Sequence, residues 1–214
     1  MELTYGNQTI DLFGKEHFPE GPPDKVVVSL SGGCDSSSLT YLIGTNFPNI
    51  DMYPFHTKDE DCPIDTERAI EVHQWLQNKF PKLHDLRIFT VSTSDPVWQA
   101  KAKEAMASPK GSLIVNGKKV SMWGTLNGCS KALQNRDKRS KMSLQYDAPV
   151  VMAMTSNPPV DVQKERGFYK VAERKRDPGE SKLKVMDTID KGGLTYQPYL
   201  RNDKKFVAGV FKEH

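Results

Sequence analysis

The sequence predicts an α/β fold: a doubly wound parallel sheet of about five strands, with helices on both faces and a small hairpin insertion. Three observations lead there. Val26 to Leu30 is a β-branched apolar run that stops at a glycine pair and restarts as a helix-like pattern with Leu39, Leu42 and Ile43. Strand-like and helix-like segments then alternate along the chain, which is the order of a parallel sheet covered on both sides. Ala148 to Thr155 is almost wholly apolar, as a central parallel strand buried on both faces must be.

Taken in order, Ile50 to Thr57 reads as the second strand. The helix after it has an apolar face of Ala69, Val72, His73, Leu76 and Phe80. Leu86 to Ser92 reads as the third strand, and Trp98, Ala102, Ala105 and Met106 mark the next helix. Asn116-Gly117 between Leu113-Ile114-Val115 and Val120-Met122 signals a hairpin, because its two-residue turn needs positive φ. The segment Gly124 to Gly128 reads as a loop, Val185 to Ile189 as a weak fifth strand, and a last helix runs to His214. The whole chain, 1–214, is read as a single domain with an N-terminal extension (1–24), an insertion (110–130) and a basic irregular connection (160–197).

Composition narrows the class. With 214 residues, 37% of them hydrophobic, the chain can bury one sizeable core. A mean hydropathy of −0.59 and the lack of a long apolar run exclude a membrane helix. Met1 to Pro23 lacks the basic start and apolar centre of an export signal, so a cytoplasmic enzyme is expected. Cys34, Cys62 and Cys129 form no paired motif, which suits a reducing compartment. The cysteines and histidines also lack metal-ligand spacing, so no zinc site is expected. Asp59, Glu60 and Asp61 precede Pro63 and read as the acidic start of a helix rather than a metal site. Net charge is +3, but segments 131–141 and 164–184 each carry +4. Both are read as solvated surface, with RNA binding as the alternative.

The chemistry concentrates in Ser31-Gly32-Gly33-Cys34-Asp35-Ser36-Ser37. Free N–H groups at a helix start, with glycines that permit close approach, suit a polyphosphate. No lysine follows the glycines, so the loop is not of the Walker type. It resembles the loop of the PP-loop (N-type) ATP pyrophosphatases, a Rossmann-like, HUP-type superfamily. That resemblance implies binding of ATP with Mg²⁺ through Ser31 to Ser37, Cys34 standing at the loop's variable position; taken by itself, Cys34 reads as a small apolar filler. It also implies cleavage to AMP and pyrophosphate, with transfer of AMP to a carboxyl or carbonyl group of a small-molecule substrate. Asp35 then contacts Mg²⁺, directly or through water, and Phe55, His56 and Thr57 stand where relatives hold adenine through backbone groups. Thr155, Ser156 and Asn157 stand where relatives face the phosphates. The tail Pro198 to Val207 is similar to the late signature of 7-cyano-7-deazaguanine synthases and of some amide-forming, asparagine synthase-like relatives, and its spacing brings Lys204 to the position of a phosphate-directed lysine.

The deazaguanine synthases usually carry a C-terminal cluster of four zinc-binding cysteines that this sequence does not contain, so the acceptor stays open. Amide or nitrile formation is the leading expectation. The alternatives are tRNA thiolation, sulfonucleotide reduction and nucleotide binding without turnover. Thiolation would use Cys62 or Cys129, and the reduction depends on a late cysteine that is missing after Cys129.

Overall fold

The computed structural model describes residues 1–60, 64–108, 112–115, 118–121, 125–155, 184–186, 193–199 and 202–214. A hairpin comes first, β1 (Glu2–Tyr5) and β2 (Gln8–Asp11), followed by β3 (Lys25–Ser29) and α1 (Cys34–Asn46). β4 (Asp51–Asp59), α2 (Ile64–Gln77), β5 (Arg87–Val91) and α3 (Pro96–Ala107) continue the alternation. The hairpin β6 (Ser112–Val115) and β7 (Lys118–Ser121) precedes the long helix α4 (Leu126–Tyr146). β8 (Val150–Val151), β9 (Lys184–Met186), β10 (Gly193–Tyr196) and α5 (Lys204–Glu213) complete the fold.

The main sheet has the order β5-β4-β3-β8-β10-β9. Its first five strands are parallel, and β9 closes the edge antiparallel to β10. The chain therefore builds outward from β3 to β5, then returns to the other side of β3 with β8 and β10. This reversal makes the junction of β3 and β8 a topological switch point, where loops diverge and leave a crevice at the strands' carboxyl ends.

Alternation along β3 sends its residues into two cores. Val26 and Val28 join Leu30, Leu39, Leu42, Ile43, Leu76, Tyr196, Tyr199 and Phe206 on the face covered by α1, α2 and α5. Val27 joins Phe55, Met142, Ala148 and Val150 on the face covered by α4, against which α3 packs. The expected five-stranded α/β sheet and its two covered faces are thus present.

Several local expectations need correction. The fourth strand is only Val150–Val151, extended by a bond from the Met152 N–H to the Tyr196 carbonyl, because Ala153 to Thr155 diverge toward the crevice. Phe80 lies beyond the end of α2 yet still packs against the first core. The supposed loop Gly124 to Gly128 gives way at Thr125, whose hydroxyl caps α4 by accepting from the Gly128 N–H. The irregular connection contains β10, an interior strand of the sheet. The turns expected at Pro178-Gly179 and Gly192, and most of the basic segment 164–184, lie outside the described residues. Val185 and Met186 fall in β9, while 187–189 are likewise outside them. The expected β6–β7 hairpin forms with Val115 opposite Lys118.

The N-terminal extension is an ordered part of the fold. Gly6 and Asn7 take φ of 55° and 62°, the positive pair required by a tight hairpin turn. The turn lies directly on α5: a Cβ on Gly209 would stand 2.6 Å from the Gly6 nitrogen. Gly209→Ala is expected to lower stability by about 1–2 kcal/mol through overpacking, despite alanine's better helix propensity. Urea unfolding would measure that loss.

At the opposite end of the sheet, Asp51 accepts from His84 Nε2 at 2.9 Å and Lys82 Nζ at 3.1 Å. The His84 bond leads, and with Lys82 it outweighs burial to hold the Asp51 carboxyl below its ordinary value. A depressed folded-state pKa gives stability that is present above the ordinary carboxylate range and lost as pH falls through the lower folded value. Asp51→Asn should therefore cost roughly 0.5–1 kcal/mol near pH 6, and chemical denaturation should find that difference vanishing once the pH falls below the lowered folded-state value.

Candidate functional site

The loop between β3 and α1 is fixed by its own hydroxyls and by α2. Ser36 Oγ accepts from the Ser31 N–H at 3.1 Å and donates to the Gly33 carbonyl at 3.1 Å. Ser37 Oγ also donates to the Gly33 carbonyl, at 2.9 Å. Ser36 and Ser37 are buried, so their hydroxyls shape the loop from beneath. Gly32 has φ of 77°, and a Cβ there would meet the Ala69 nitrogen at 2.6 Å. Only glycine allows the loop to lie this close to α2. Gly33 is different, because its nearest neighbour to an added Cβ is Ser31 Oγ at 3.5 Å.

Gly33 is the extended N-cap of α1 and offers no side-chain cap. The first-turn N–H groups of Cys34, Asp35 and Ser36 have no carbonyl within the helix to receive them. They combine with the positive end of the helix dipole to favour an anion at the crevice. Cys34 is exposed, which corrects its reading as an apolar filler.

Asp35 is where distant parts of the chain meet. Its Oδ2 accepts from the Thr155 hydroxyl at 3.0 Å, and both carboxylate oxygens contact Lys204 Nζ. Asp35 is largely shielded, with 19% side-chain exposure, whereas Lys204 is 51% exposed. The ion pair is therefore solvent-screened and contributes little stability. Its significance is geometric: β8 and α5 deliver their polar ends to the start of α1. Ser156 and Asn157, expected beside Thr155, lie outside the described residues.

The position of Lys204 is prepared by the N-terminal hairpin, which sequence reasoning left out of the site. Asp203 caps α5 by accepting from the Lys205 N–H at 2.7 Å. Gln8 grips the same residue twice, donating to its carboxylate at 2.7 Å and accepting from its N–H at 2.9 Å. A second brace runs from Ser38 Oγ, which donates to the Asp35 carbonyl at 2.9 Å and stands 3.2 Å from the Tyr199 hydroxyl. Burial pushes the Tyr199 phenol upward and keeps it neutral. The Gly6-Asn7 pair was the available sequence signal for the hairpin.

β4 continues to Asp59 while its neighbour β3 stops at Ser29, after which the Leu30 N–H makes one further bond to the Phe55 carbonyl. The end of β4 therefore projects above the loop, where its backbone can face a ligand. Phe55 is a core residue. His56 has both ring nitrogens engaged, within 3.0 Å of the Leu30 carbonyl and 3.1 Å of the Thr66 hydroxyl. Because the carbonyl can only accept, Nδ1 donates to it, and Nε2 shares a hydrogen bond with the Thr66 hydroxyl. His56 thus braces the strand end, and its imidazole is committed to the protein. Thr57 is half-buried on the projecting end.

Across the crevice, α4 contributes Lys131, which pairs with Asp59. Gln134 clasps Ser92 at the end of β5, with bonds of 2.7 Å and 3.2 Å. The basic segment 131–141 is consequently half-buried within a helix against the sheet rather than wholly solvated. Among the described residues, no group of three or more His, Cys, Asp and Glu is arranged to hold a metal ion, and no helix is long and apolar enough to cross a membrane.

No family model matches the chain, and no curated protein does. Among solved structures, it is similar to U34-tRNA thiolase NcsA from Methanococcus maripaludis, determined with its 4Fe–4S cluster. The likeness has a TM-score of 0.48 and 15% identity, covering 88% of this chain and 56% of that one. The chain therefore spans little more than half the length of that relative.

The two loop glycines should respond differently to substitution. Gly32→Ala is expected to lower the melting temperature, since its Cβ would enter the α2 backbone. Gly33→Leu should leave melting nearly unchanged and, if the loop holds ATP as the sequence resemblance implies, weaken ATP binding at least about tenfold by filling the space above the N–H groups. Calorimetry with ATP and Mg²⁺, beside a thermal melt, tests both expectations.

Proposed function

We propose that the chain is a PP-loop enzyme that cleaves ATP between its α- and β-phosphates and transfers AMP to a carboxyl or carbonyl oxygen. The observation that supports this reading most is the convergence of Lys204 and Thr155 on Asp35 at the glycine-lined start of α1. Magnesium fits the chemistry of the donor set: Asp35 supplies hard anionic oxygens, and Thr155 supplies a neutral one. When bound, Mg²⁺ would offset charge on the phosphates.

In the reaction, an acceptor oxygen forms a bond to the α-phosphorus as the bond to the departing pyrophosphate oxygen breaks. The electron pair of the broken bond leaves with pyrophosphate. The Cys34, Asp35 and Ser36 N–H groups are oriented before reaction, so they can stabilise that charge with little reorganisation. Lys204 must exchange its Asp35 contact for a phosphate oxygen to contribute, and its exposed Nζ is free to rotate there. Gln8 and Asp203 keep the start of α5 close while that exchange occurs. Ammonia or an amine attacking the acyl adenylate would then give an amide and release AMP.

A second reading has a nucleobase carbonyl of RNA as the acceptor, followed by sulfur insertion. The excess of base along α4, Arg136, Lys138, Arg139 and Lys141 against Asp137, favours a polyanionic partner. The buried Cys129 is poorly suited to carry the sulfur, because desolvation raises its thiol pKa. Cys62 lies outside the described residues. Pyrophosphate release across carboxylate substrates and unmodified tRNA, with mass spectrometry of the products, separates these acceptors. Release with neither, despite ATP binding, would favour a nucleotide-binding module.

Lys204→Ala is expected to lower kcat by about two orders of magnitude with little change in ATP affinity, because its charge is needed most as pyrophosphate leaves. Lys205→Ala should retain turnover. Single-turnover pyrophosphate release and ATP calorimetry on both variants check this; equal behaviour of the two would remove the assigned role.

A further inference from the structure

Arg139 has an unusual set of partners for a half-buried guanidinium. Its Nε donates to the Asn135 carbonyl at 3.2 Å, and Nη1 stands 3.0 Å from Met152 Sδ. Gln197 Nε2 approaches the same sulfur at 4.0 Å. A thioether is a weak acceptor, whereas guanidinium and amide groups are strong donors. Among the described residues no carboxylate pairs with Arg139. Desolvation, followed by repulsion from Arg136, pulls its pKa below the ordinary value. Such a cation has much to gain from an anion able to receive its planar fork.

The place is equally specific. Arg139 reaches from α4, Gln197 follows β10, and Met152 directly follows β8. Met152 is three residues before Thr155, whose hydroxyl contacts Asp35. An extended chain cannot separate their Cα atoms by more than about 11 Å. Both donors thus gather around Met152, just past the carboxyl end of β8 and on the face that α4 covers.

We infer that Arg139 and Gln197 form an oxyanion subsite that holds a carboxylate of the acceptor substrate. Resting on the adenylation reading, this assigns the acceptor to the carboxylate-bearing small molecules. Arg139 binds and orients that group; either the bound carboxylate itself receives AMP, or it anchors a molecule whose second carboxyl or carbonyl oxygen does. Met152 marks the position by filling it with the most polarizable apolar group available.

The test is a titration of the full chain with sodium acetate, read through the arginine Nε–H signals in proton–nitrogen spectra, at ionic strength matched with sodium chloride. Arg139→Lys identifies the Arg139 signal by its disappearance. A saturable movement of that signal with acetate, and none with acetamide or chloride, is expected. Arg139→Lys should weaken acetate binding roughly tenfold, measured through neighbouring amide signals, because the planar fork is lost. Met152→Leu should retain acetate binding, since the thioether is only a placeholder; this variant also keeps the test available if Arg139→Lys fails to fold. No saturable movement in wild type or Met152→Leu, or movement with inorganic phosphate but not acetate, would overturn the carboxylate subsite. ATP binding measured separately distinguishes failures: ATP binding without an acetate response removes the subsite alone, whereas an acetate response without ATP binding removes the adenylation reading.

Discussion

The reversal of strand order between β3 and β8 is the constraint on which the candidate site depends. Connections on either side of that junction must travel in opposite directions, so the carboxyl ends of β3 and β8 cannot be closed by one continuous layer. The α1 start fills one side of the opening with unpaired N–H groups, and Thr155 enters from the other. Asp35 and Lys204 sit 169 residues apart in sequence yet share an ion pair there. Their attraction is too exposed to create the arrangement. It is instead produced by the cores beneath, where Leu39, Leu42, Tyr199 and Phe206 pack α1 and α5 onto β3 and β10.

Close backbone approaches transmit this arrangement outward. Gly32 lets the loop lie against α2, while Gly209 lets the N-terminal hairpin lie against α5. The second approach also buries Tyr5 and Ile10 of the hairpin with Phe206 and Val210 of α5, and each removes the freedom of an element carrying a polar terminus toward the crevice. Gln8 then fixes Asp203, and Asp203 fixes the first turn that presents Lys204. The hairpin thus belongs to the mechanics of the site although it contributes no reacting group.

What was legible in the sequence followed from strong local periodicity. Lys25–Ser29, Asp51–Asp59 and Arg87–Val91 are apolar enough to announce strands, and glycines followed by Asp35 announce the loop. α4 escaped because its buried face is chemically polar: Ser130, Gln134, Ser140 and Ser143 accompany Cys129 and Met142 inside. A helix whose buried side is made of serines has no apolar stripe to detect. β10 escaped for a related reason, since four residues beginning with Gly193 provide too short a pattern and derive their strand state from pairing with β8. Lys204 was reachable through a resemblance in the tail, whereas Gln8 became visible only when folding brought it against Asp203.

The polar interior of α4 also explains why the crevice has two chemically distinct sides. On the α1 side, neutral N–H groups and hydroxyls surround one carboxylate, a combination suited to phosphate together with a cation. On the α4 side, Lys131 is already neutralised by Asp59, but among the described residues Arg139 has only a carbonyl and a thioether as acceptors. A second carboxylate from the protein at Arg139 would close that side to anions, while removal of Asp59 would turn Lys131 into a competing attractor. On the proposed adenylation reading, the pairing of Lys131 and the lack of a carboxylate at Arg139 among the described residues would direct an anionic acceptor toward one position, beside rather than on top of the phosphates. Such separation is what a transfer between two anions requires, because each must be held close while their mutual repulsion is offset by a different part of the fold.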